Sequence, residues 1–387
     1  MNRNGPALVG LRLPPGPAFV EALDAVWADG DAVLPLAPDL PGPAVRRALV
    51  AFRPDRIIDD AGEHPVDDGE PVRPGTALVV ATSGTTGEPK GVELGHAALL
   101  ASARASLERL RAGPGDRWLC CLPLTHVAGL QVLVRSRLLG TLAVVQPRFD
   151  PAAVASADAT MVSLVPTMLR RLLDAGVDVR RFRAILLGGA APPAELLDRA
   201  REAGARVIVS YGMTETCGGC VYDGVPLGGV EAALGEEGTI LLRGPVLLSG
   251  YRGRAEAPLF DDGWFRTADR GRWTADGRLE VLGRVDDVIV TGGYNVAAGG
   301  VATLLREHPR VADAAVAGRP DAELGQRVVA TIVPRDPDRP PTLAELRAFV
   351  AERLAPYAAP RELTLVDALG RSALGKPVTG SPSGPEG

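Results

Sequence analysis

From Trp118 to Ser210 the sequence repeats one rhythm: a short apolar run, then a longer segment whose apolar residues recur at helical spacing. Trp118 to Leu122 precedes Gly129 to Leu139, Ala159 to Leu164 precedes Thr167 to Ala175, and Ala184 to Leu187 precedes Pro193 to Ala203. Leu142 to Gln146 and Val207 to Ser210 are further short runs of the same kind. Strands that alternate with helices fold as α/β layers around a largely parallel sheet, because each helix carries the chain back across one face of it. The pattern begins upstream, where Ala77 to Ala81 reads as a buried strand and Gly95 to Arg111 as a helix. Residues 1 to 75 show a helix over Pro17 to Ala28, Pro-rich connections and an acidic stretch from Asp59 to Glu70, but no motif.

Beyond Gly238 the rhythm gives way to short strands and turns, with Gly238 to Arg243 and Arg278 to Leu282 as strands and Asp276-Gly277 as a hairpin signal. After Gly283 comes a compact α+β unit: strands at Val288 to Val290, Ala312 to Ala317, Val328 to Val333 and Glu362 to Val366, with helices near Val301 to Glu307 and Leu343 to Leu354. A chain of 387 residues exceeds what one hydrophobic core usually serves. The division predicted is a large N-terminal α/β domain over 1–284, with a parallel sheet and a β-rich layer, and a small α+β domain over 285–387. The tail from Thr379 reads as disordered.

A net charge of −5 argues against a nucleic-acid or membrane-surface role, since either needs a basic face. No run of residues is long and apolar enough for a membrane span, and Met1 to Leu13 has no apolar core of the signal-peptide kind, so the cytoplasm is the expected compartment. Four cysteines are too few for a disulfide scaffold at this length. Cys217 and Cys220 make a C-x-x-C, but no second pair or nearby histidine completes a zinc site, and buried small residues are the simpler reading. Of 42 basic residues only Lys90 and Lys376 are lysine. Two positions that resist arginine point to a compact ammonium in a tight phosphate pocket; chance survival on the surface is the alternative.

Lys90 closes the segment Thr82-Ser83-Gly84-Thr85-Thr86-Gly87-Glu88-Pro89-Lys90-Gly91. Its glycines expose backbone N–H groups, its hydroxyls add donors and Lys90 adds a charge, a combination suited to a polyphosphate. It is not a Walker A loop, because Lys90 follows a proline and precedes a glycine. The segment resembles the phosphate loop of the adenylate-forming superfamily, which includes acyl-CoA synthetases, luciferases and the adenylation domains of peptide synthetases.

The resemblance runs from about Gly75 to Lys376 through motifs in the same order. Tyr211-Gly212-Met213-Thr214-Glu215 is similar to the core motif whose tyrosine stacks on adenine, whose threonine contacts the α-phosphate and whose glutamate binds Mg²⁺. An aromatic face, a hydroxyl and a carboxylate suit those three tasks. Gly188-Gly189-Ala190 resembles the loop that lets adenine approach the backbone. Asp269 matches the ribose-binding aspartate and Arg284 a second ribose contact, with Asp286 at the hinge between domains. Gly292 and Gly293 resemble the loop that lines the pantetheine channel after rotation, and Lys376 sits where the catalytic lysine belongs. The resemblance implies ATP, Mg²⁺ and coenzyme A as the nucleotide, metal and co-substrate, with the small domain mobile about Asp286.

The segment Pro123 to Ser136 and the run Gly218 to Leu227 look like those of o-succinylbenzoate-CoA ligases in their compact form. Their substrate is a dicarboxylate, so the carboxyl that is not activated needs a cationic partner. Arg135 takes that place and His126 the place beside the reacting carboxylate; a solvated helix arginine and a packed loop histidine are the plain alternatives. One departure is Pro377-Val378-Thr379-Gly380 after Lys376, where the basic helix often found in the family is missing. Alternatives stay open: an aryl or fatty acid-CoA ligase, a free-standing adenylation enzyme, or a non-catalytic nucleotide-binding regulator.

Overall fold

The computed structural model describes residues 5–83, 89–253, 262–284, 288–291, 294–321, 324–354 and 356–369. Two compact units interleave along the chain. One comprises Met1–Gly189, Asp198–Ala232 and Leu242–Arg266; the other comprises Ala190–Leu197, Ala233–Leu241 and Thr267–Gly387.

The first unit is built on two seven-stranded sheets. The second of these realises the predicted rhythm. Its order is Val225–Pro226, Gly218–Tyr222, Val207–Met213, Ala184–Leu187, Met161–Leu164, Trp118–Cys120, Val144–Val145. The last five are mutually parallel, and Gly218–Tyr222 is antiparallel to both its neighbours. Met161–Leu164 and Ala184–Leu187 are buried along their whole length, as parallel strands covered by helices on both faces must be.

The other sheet runs Gly250–Tyr251, Pro89–Gly95, Thr76–Ser83, Ala32–Pro35, Leu8–Arg12, Arg56–Asp59, Gly62–Pro65. Its N-terminal strands were not legible in the sequence: Leu8–Arg12 pairs in parallel with Ala32–Pro35 and Arg56–Asp59, and Ala32–Pro35 with Thr76–Ser83. Strands of four or five residues bounded by proline and glycine carry too little periodicity to be read. The helix Pro17–Ala28 lies as predicted, burying Phe19, Leu23 and Val26 at the spacing of one helical stripe. A strand at Pro89–Gly95, also unforeseen, separates the phosphate loop from the helix His96–Leu110 and pairs antiparallel with Thr76–Ser83.

In the second unit, Ala298–Arg306 and Leu343–Ala351 are helices, the latter started by a reciprocal Thr342–Glu345 cap. They belong with a five-stranded sheet of order Tyr294–Ala297, Val288–Thr291, Gly325–Pro334, Val311–Asp321, to which Glu362–Leu365 adds in parallel beside Gly325–Pro334. Val301, Leu305, Val311, Val328, Ile332, Leu346 and Val350 form its core. A four-stranded sheet orders Glu231–Leu234, Thr239–Arg243, Phe265–Trp273 and Leu279–Arg284, the last two joined by a turn in which Gly277 takes φ 74°. Among the described residues no helix is long and apolar enough to cross a membrane.

Candidate active site

The phosphate-loop segment is held by a hairpin. Thr82 lies opposite Lys90 and Ser83 opposite Pro89, and the Thr82 hydroxyl donates to the Lys90 carbonyl at 3.3 Å. Behind it Ala77, Leu78, Val79 and Val80 are fully buried, so the strand cannot shift its register without exposing them. Gly84, Thr85, Thr86 and Gly87, between the two strands, lie outside the described residues, as do Asp286, Gly292, Gly293 and Lys376.

Tyr211-Gly212-Met213 ends a central strand and Thr214–Thr216 forms a single 3₁₀ turn beyond it. The turn is locked from inside by Thr216, wholly buried, whose hydroxyl accepts from the Met213 N–H at 2.9 Å and donates to the Gly218 carbonyl at 2.6 Å. Gly212 is required by closeness: a Cβ there would stand 2.0 Å from the Gly218 oxygen. Gly188 packs against the residue preceding Tyr211, its virtual Cβ 3.2 Å from the Ser210 carbonyl, and Gly189 takes φ +82°. The glycine loop and the Tyr211 strand are thereby neighbours; Ala190 begins a segment of the other compact unit.

Glu215 is half-buried and accepts a hydrogen bond on Oε1 from the Tyr251 hydroxyl at 3.1 Å, while Lys90 Nζ stands 5.9 Å from the centre of the Tyr251 ring. The two charged residues expected to meet ATP and its metal are thus gathered around one aromatic ring. In the second unit Asp269 and Arg284 face one another directly across the antiparallel pair Phe265–Trp273 and Leu279–Arg284. Directly opposed residues share one face of a sheet, so both ribose candidates present to the same side.

His126 precedes the helix Val127–Leu138 in extended backbone, its carbonyl accepting from the Leu130 N–H at 3.2 Å. The first turn packs so close to the preceding loop that a Cβ on Gly129 would lie 2.4 Å from the Pro123 oxygen. Burial holds the His126 imidazole pKa below its ordinary value, favouring the neutral ring, and its Nε2 is buried without a hydrogen-bond partner among the described residues.

Arg135, in the last turn of that helix, is 5% exposed. Its guanidinium lies 4.2 Å from the Trp118 ring centre and donates to the Ser163 hydroxyl at 3.1 Å and the Ser106 hydroxyl at 3.4 Å. Ser106 in turn is 2.8 Å from the Tyr222 hydroxyl. Burial pushes the Arg135 pKa down, and among the described residues no carboxylate pairs with it. The reading of Arg135 as a solvated helix arginine is therefore overturned. A buried cation met only by neutral hydroxyls and an indole is a site with charge to spare.

The AMP-binding enzyme family matches residues 60–252, and the AMP-binding enzyme C-terminal domain matches residues 301–376. A probable 2-succinylbenzoate–CoA ligase of Mycobacterium tuberculosis strain H37Rv is 46% identical over 323 residues, covering 80% of this chain and 84% of the relative. The chain belongs to the 2-succinylbenzoate–CoA ligase family of AMP-binding enzymes. The Bacillus subtilis 2-succinylbenzoate–CoA ligase is 35% identical over 83% of this chain and 71% of its own length. Among solved structures, the Bacillus subtilis o-succinylbenzoate CoA synthetase (MenE) in complex with the acyl-adenylate intermediate OSB-AMP superposes with a TM-score of 0.84 at 30% identity, covering 97% of this chain and 87% of that one. ATP-bound MatB from Rhodopseudomonas palustris gives the same TM-score at 26% identity.

Several residues around the family motifs escaped the sequence reading. Ser163 is a lone hydroxyl in the apolar strand Met161–Leu164, and that was the available signal for a polar contact at its side chain. Ser106 lay hidden in an alanine-rich helix, and Tyr251 in a two-residue strand. The four cysteines are free and buried, and burial pushes the thiols of Cys120, Cys121 and Cys220 up to about 12.

Proposed function

We propose that this chain is an o-succinylbenzoate-CoA ligase of the AMP-forming kind, acting in menaquinone biosynthesis in the cytoplasm. The acid's carboxylate attacks the α-phosphorus of ATP, the bond to the bridging oxygen breaks, and pyrophosphate leaves. The thiolate of coenzyme A then attacks the acyl-adenylate carbonyl and AMP departs with the bonding electrons.

The observation that carries the choice of acid is Arg135: buried, ringed by Ser106, Ser163 and Trp118, and paired with no carboxylate among the described residues. A dicarboxylate supplies the missing anion with its second carboxyl group, while a neutral-tailed acid supplies nothing. His126, whose burial favours the neutral ring, takes the place beside the reacting carboxylate.

The roles of the nucleotide-binding residues follow the chemistry of each group. Tyr211 offers a ring to adenine beside the close-packed Gly188 and Gly189. Asp269 and Arg284, opposed across one strand pair, take the ribose hydroxyls. Thr82, Ser83, Gly84, Thr85, Thr86, Gly87 and Lys90 grip the β- and γ-phosphates, and the Thr214 hydroxyl the α-phosphate. The single carboxylate of Glu215 fits Mg²⁺, which commonly keeps one or two carboxylates beside substrate phosphates. When bound, that ion neutralises charge on the phosphate oxygens.

Lys376 supplies the cation that lets one anion approach another. The proposed functional boundary lies near 284/285, inside the second compact unit and not at its edge, with Asp286 the hinge that withdraws Lys376 and brings Gly292 and Gly293 beside coenzyme A. Pyrophosphate release tests the substrate: it is expected to be at least tenfold faster with o-succinylbenzoate than with benzoate, succinate or octanoate. Equal rates refute the assignment.

A further inference from the structure

The segment Leu248 to Arg252 is tied at both ends of the ATP site within the first unit. Ser249 N–H donates to the Glu93 carbonyl at 2.9 Å and Arg252 N–H to the Gly91 carbonyl at 2.7 Å, which fixes Gly250–Tyr251 as a strand on the outer edge of Pro89–Gly95. Leu248 N–H donates to the Glu215 carbonyl at 2.8 Å. The Arg252 guanidinium reaches the carbonyls of Phe52 at 3.0 Å and Pro71 at 2.7 Å, and Gly250 lies so near Arg73 that a Cβ would stand 1.8 Å from its Nη1. This strap therefore joins the strand that carries Lys90 to the turn that carries Glu215, and its place is set by backbone bonds.

Tyr251 projects from it and meets both charges. Its hydroxyl donates to Glu215 Oε1 at 3.1 Å and Lys90 Nζ sits 5.9 Å from its ring centre. A lysine and a glutamate left to themselves at such a site form an ion pair, and that pair competes with phosphate for the ammonium and with metal for the carboxylate. An aromatic ring holds an ammonium through its face more weakly than a carboxylate does, and a phenol occupies only one carboxylate oxygen. We propose that Tyr251 is a positioning residue for the nucleotide-metal complex: it aims the Glu215 carboxylate and keeps Lys90 from neutralising it. The inference rests on the reading of Glu215 as the Mg²⁺ carboxylate and of Lys90 as a phosphate ligand.

Calorimetric titration of the full-length protein with ATP, in EDTA and across a series of free Mg²⁺ concentrations, tests it. Tyr251→Phe keeps the ring and removes the hydroxyl. It is expected to raise the Mg²⁺ concentration for half-maximal enhancement of ATP binding about five- to tenfold, in line with loss of one hydrogen bond of ordinary net strength. ATP affinity in EDTA should stay within about twofold and the ligand-free thermal midpoint within about 2 °C. Tyr251→Leu removes the ring as well and is expected to weaken ATP binding in EDTA about tenfold, because Lys90 and Glu215 then pair. Adding Glu215→Gln to that variant should restore binding in EDTA, which repair of mere packing would not do.

Tyr251→Phe weakening ATP equally with and without Mg²⁺, or leaving the Mg²⁺ dependence unchanged where Glu215→Gln alters it, overturns the proposal while the reading of Glu215 stands. An unaltered Mg²⁺ dependence in Glu215→Gln itself overturns that reading and the proposal with it.

Discussion

Replacing Arg135 by methionine separates what the arginine does for the fold from its proposed role towards the substrate. In the folded protein the guanidinium makes two hydrogen bonds to hydroxyls and lies on the Trp118 ring, but it is 5% exposed and has no carboxylate partner among the described residues. The gain from those contacts is set against a desolvation penalty of several kcal/mol, and an apolar side chain of similar volume removes both. What remains is the Ser163 hydroxyl without its donor, Ser106 keeping Tyr222. The expected destabilisation is therefore only about 1–3 kcal/mol, a shift of the thermal midpoint by a few degrees. A substrate carboxylate facing this cation behaves differently: truncating one partner of a buried charge pair costs about 2–5 kcal/mol. In kcat/KM for o-succinylbenzoate that is a fall of roughly 30- to 4,000-fold. The assay is coupled pyrophosphate release with o-succinylbenzoate and, in parallel, with a monocarboxylic aryl acid, beside a thermal melt of each protein. A proportional loss for both acids, or a protein too unstable to assay, refutes the reasoning.

Gly212→Ala should be severe, since its Cβ meets the Gly218 backbone oxygen at 2.0 Å, whereas Gly113→Ala, with nothing within 4 Å, should be nearly neutral. A loss of at least about 2 kcal/mol for the first and under about 1 for the second is expected from denaturant melts. His126 has a pKa lowered by burial, so the unfolded chain binds its proton first as the pH falls. Its contribution is complete above the unfolded-state pKa near about 6.5 and is lost as the pH falls towards the lower folded value. The difference in stability between the wild type and His126→Gln should accordingly narrow on acidification from neutral pH; a constant gap argues against it. Lys376→Ala is expected to abolish adenylate formation while thioester formation from supplied acyl-adenylate survives, as read by AMP release in each half-reaction. Equal loss of both contradicts the alternation of domains.

The sequence revealed most where one segment carries its own signal. Parallel strands such as Ala184–Leu187 are continuous apolar runs between helices, and their boundaries fall where the pattern placed them. The motif Tyr211 to Glu215 was visible because its residue types are unusual together, yet what holds it was not. Thr216 acts through hydroxyl bonds to Met213 and Gly218, and nothing in a threonine marks it as buried. Arg135 was found as a residue but not as an environment, because Ser106, Ser163, Trp118 and Tyr222 come from four distant stretches of chain. The N-terminal strands were missed for the same reason: Val33 becomes a strand residue by lying beside Leu78, a relation between segments that no local window contains.

The strap at Gly250–Tyr251 also sets an order of events during synthesis. Strand Pro89–Gly95 can pair with Thr76–Ser83 as soon as it emerges, but its other edge waits for residues made much later. At 5–20 residues per second that edge stays bare for roughly ten to thirty seconds on the ribosome. Through that interval the nascent hairpin offers unpaired backbone to any other chain, and the side chains it carries there, Lys90 and Glu93 among them, are charges of the kind that discourage edge-to-edge pairing.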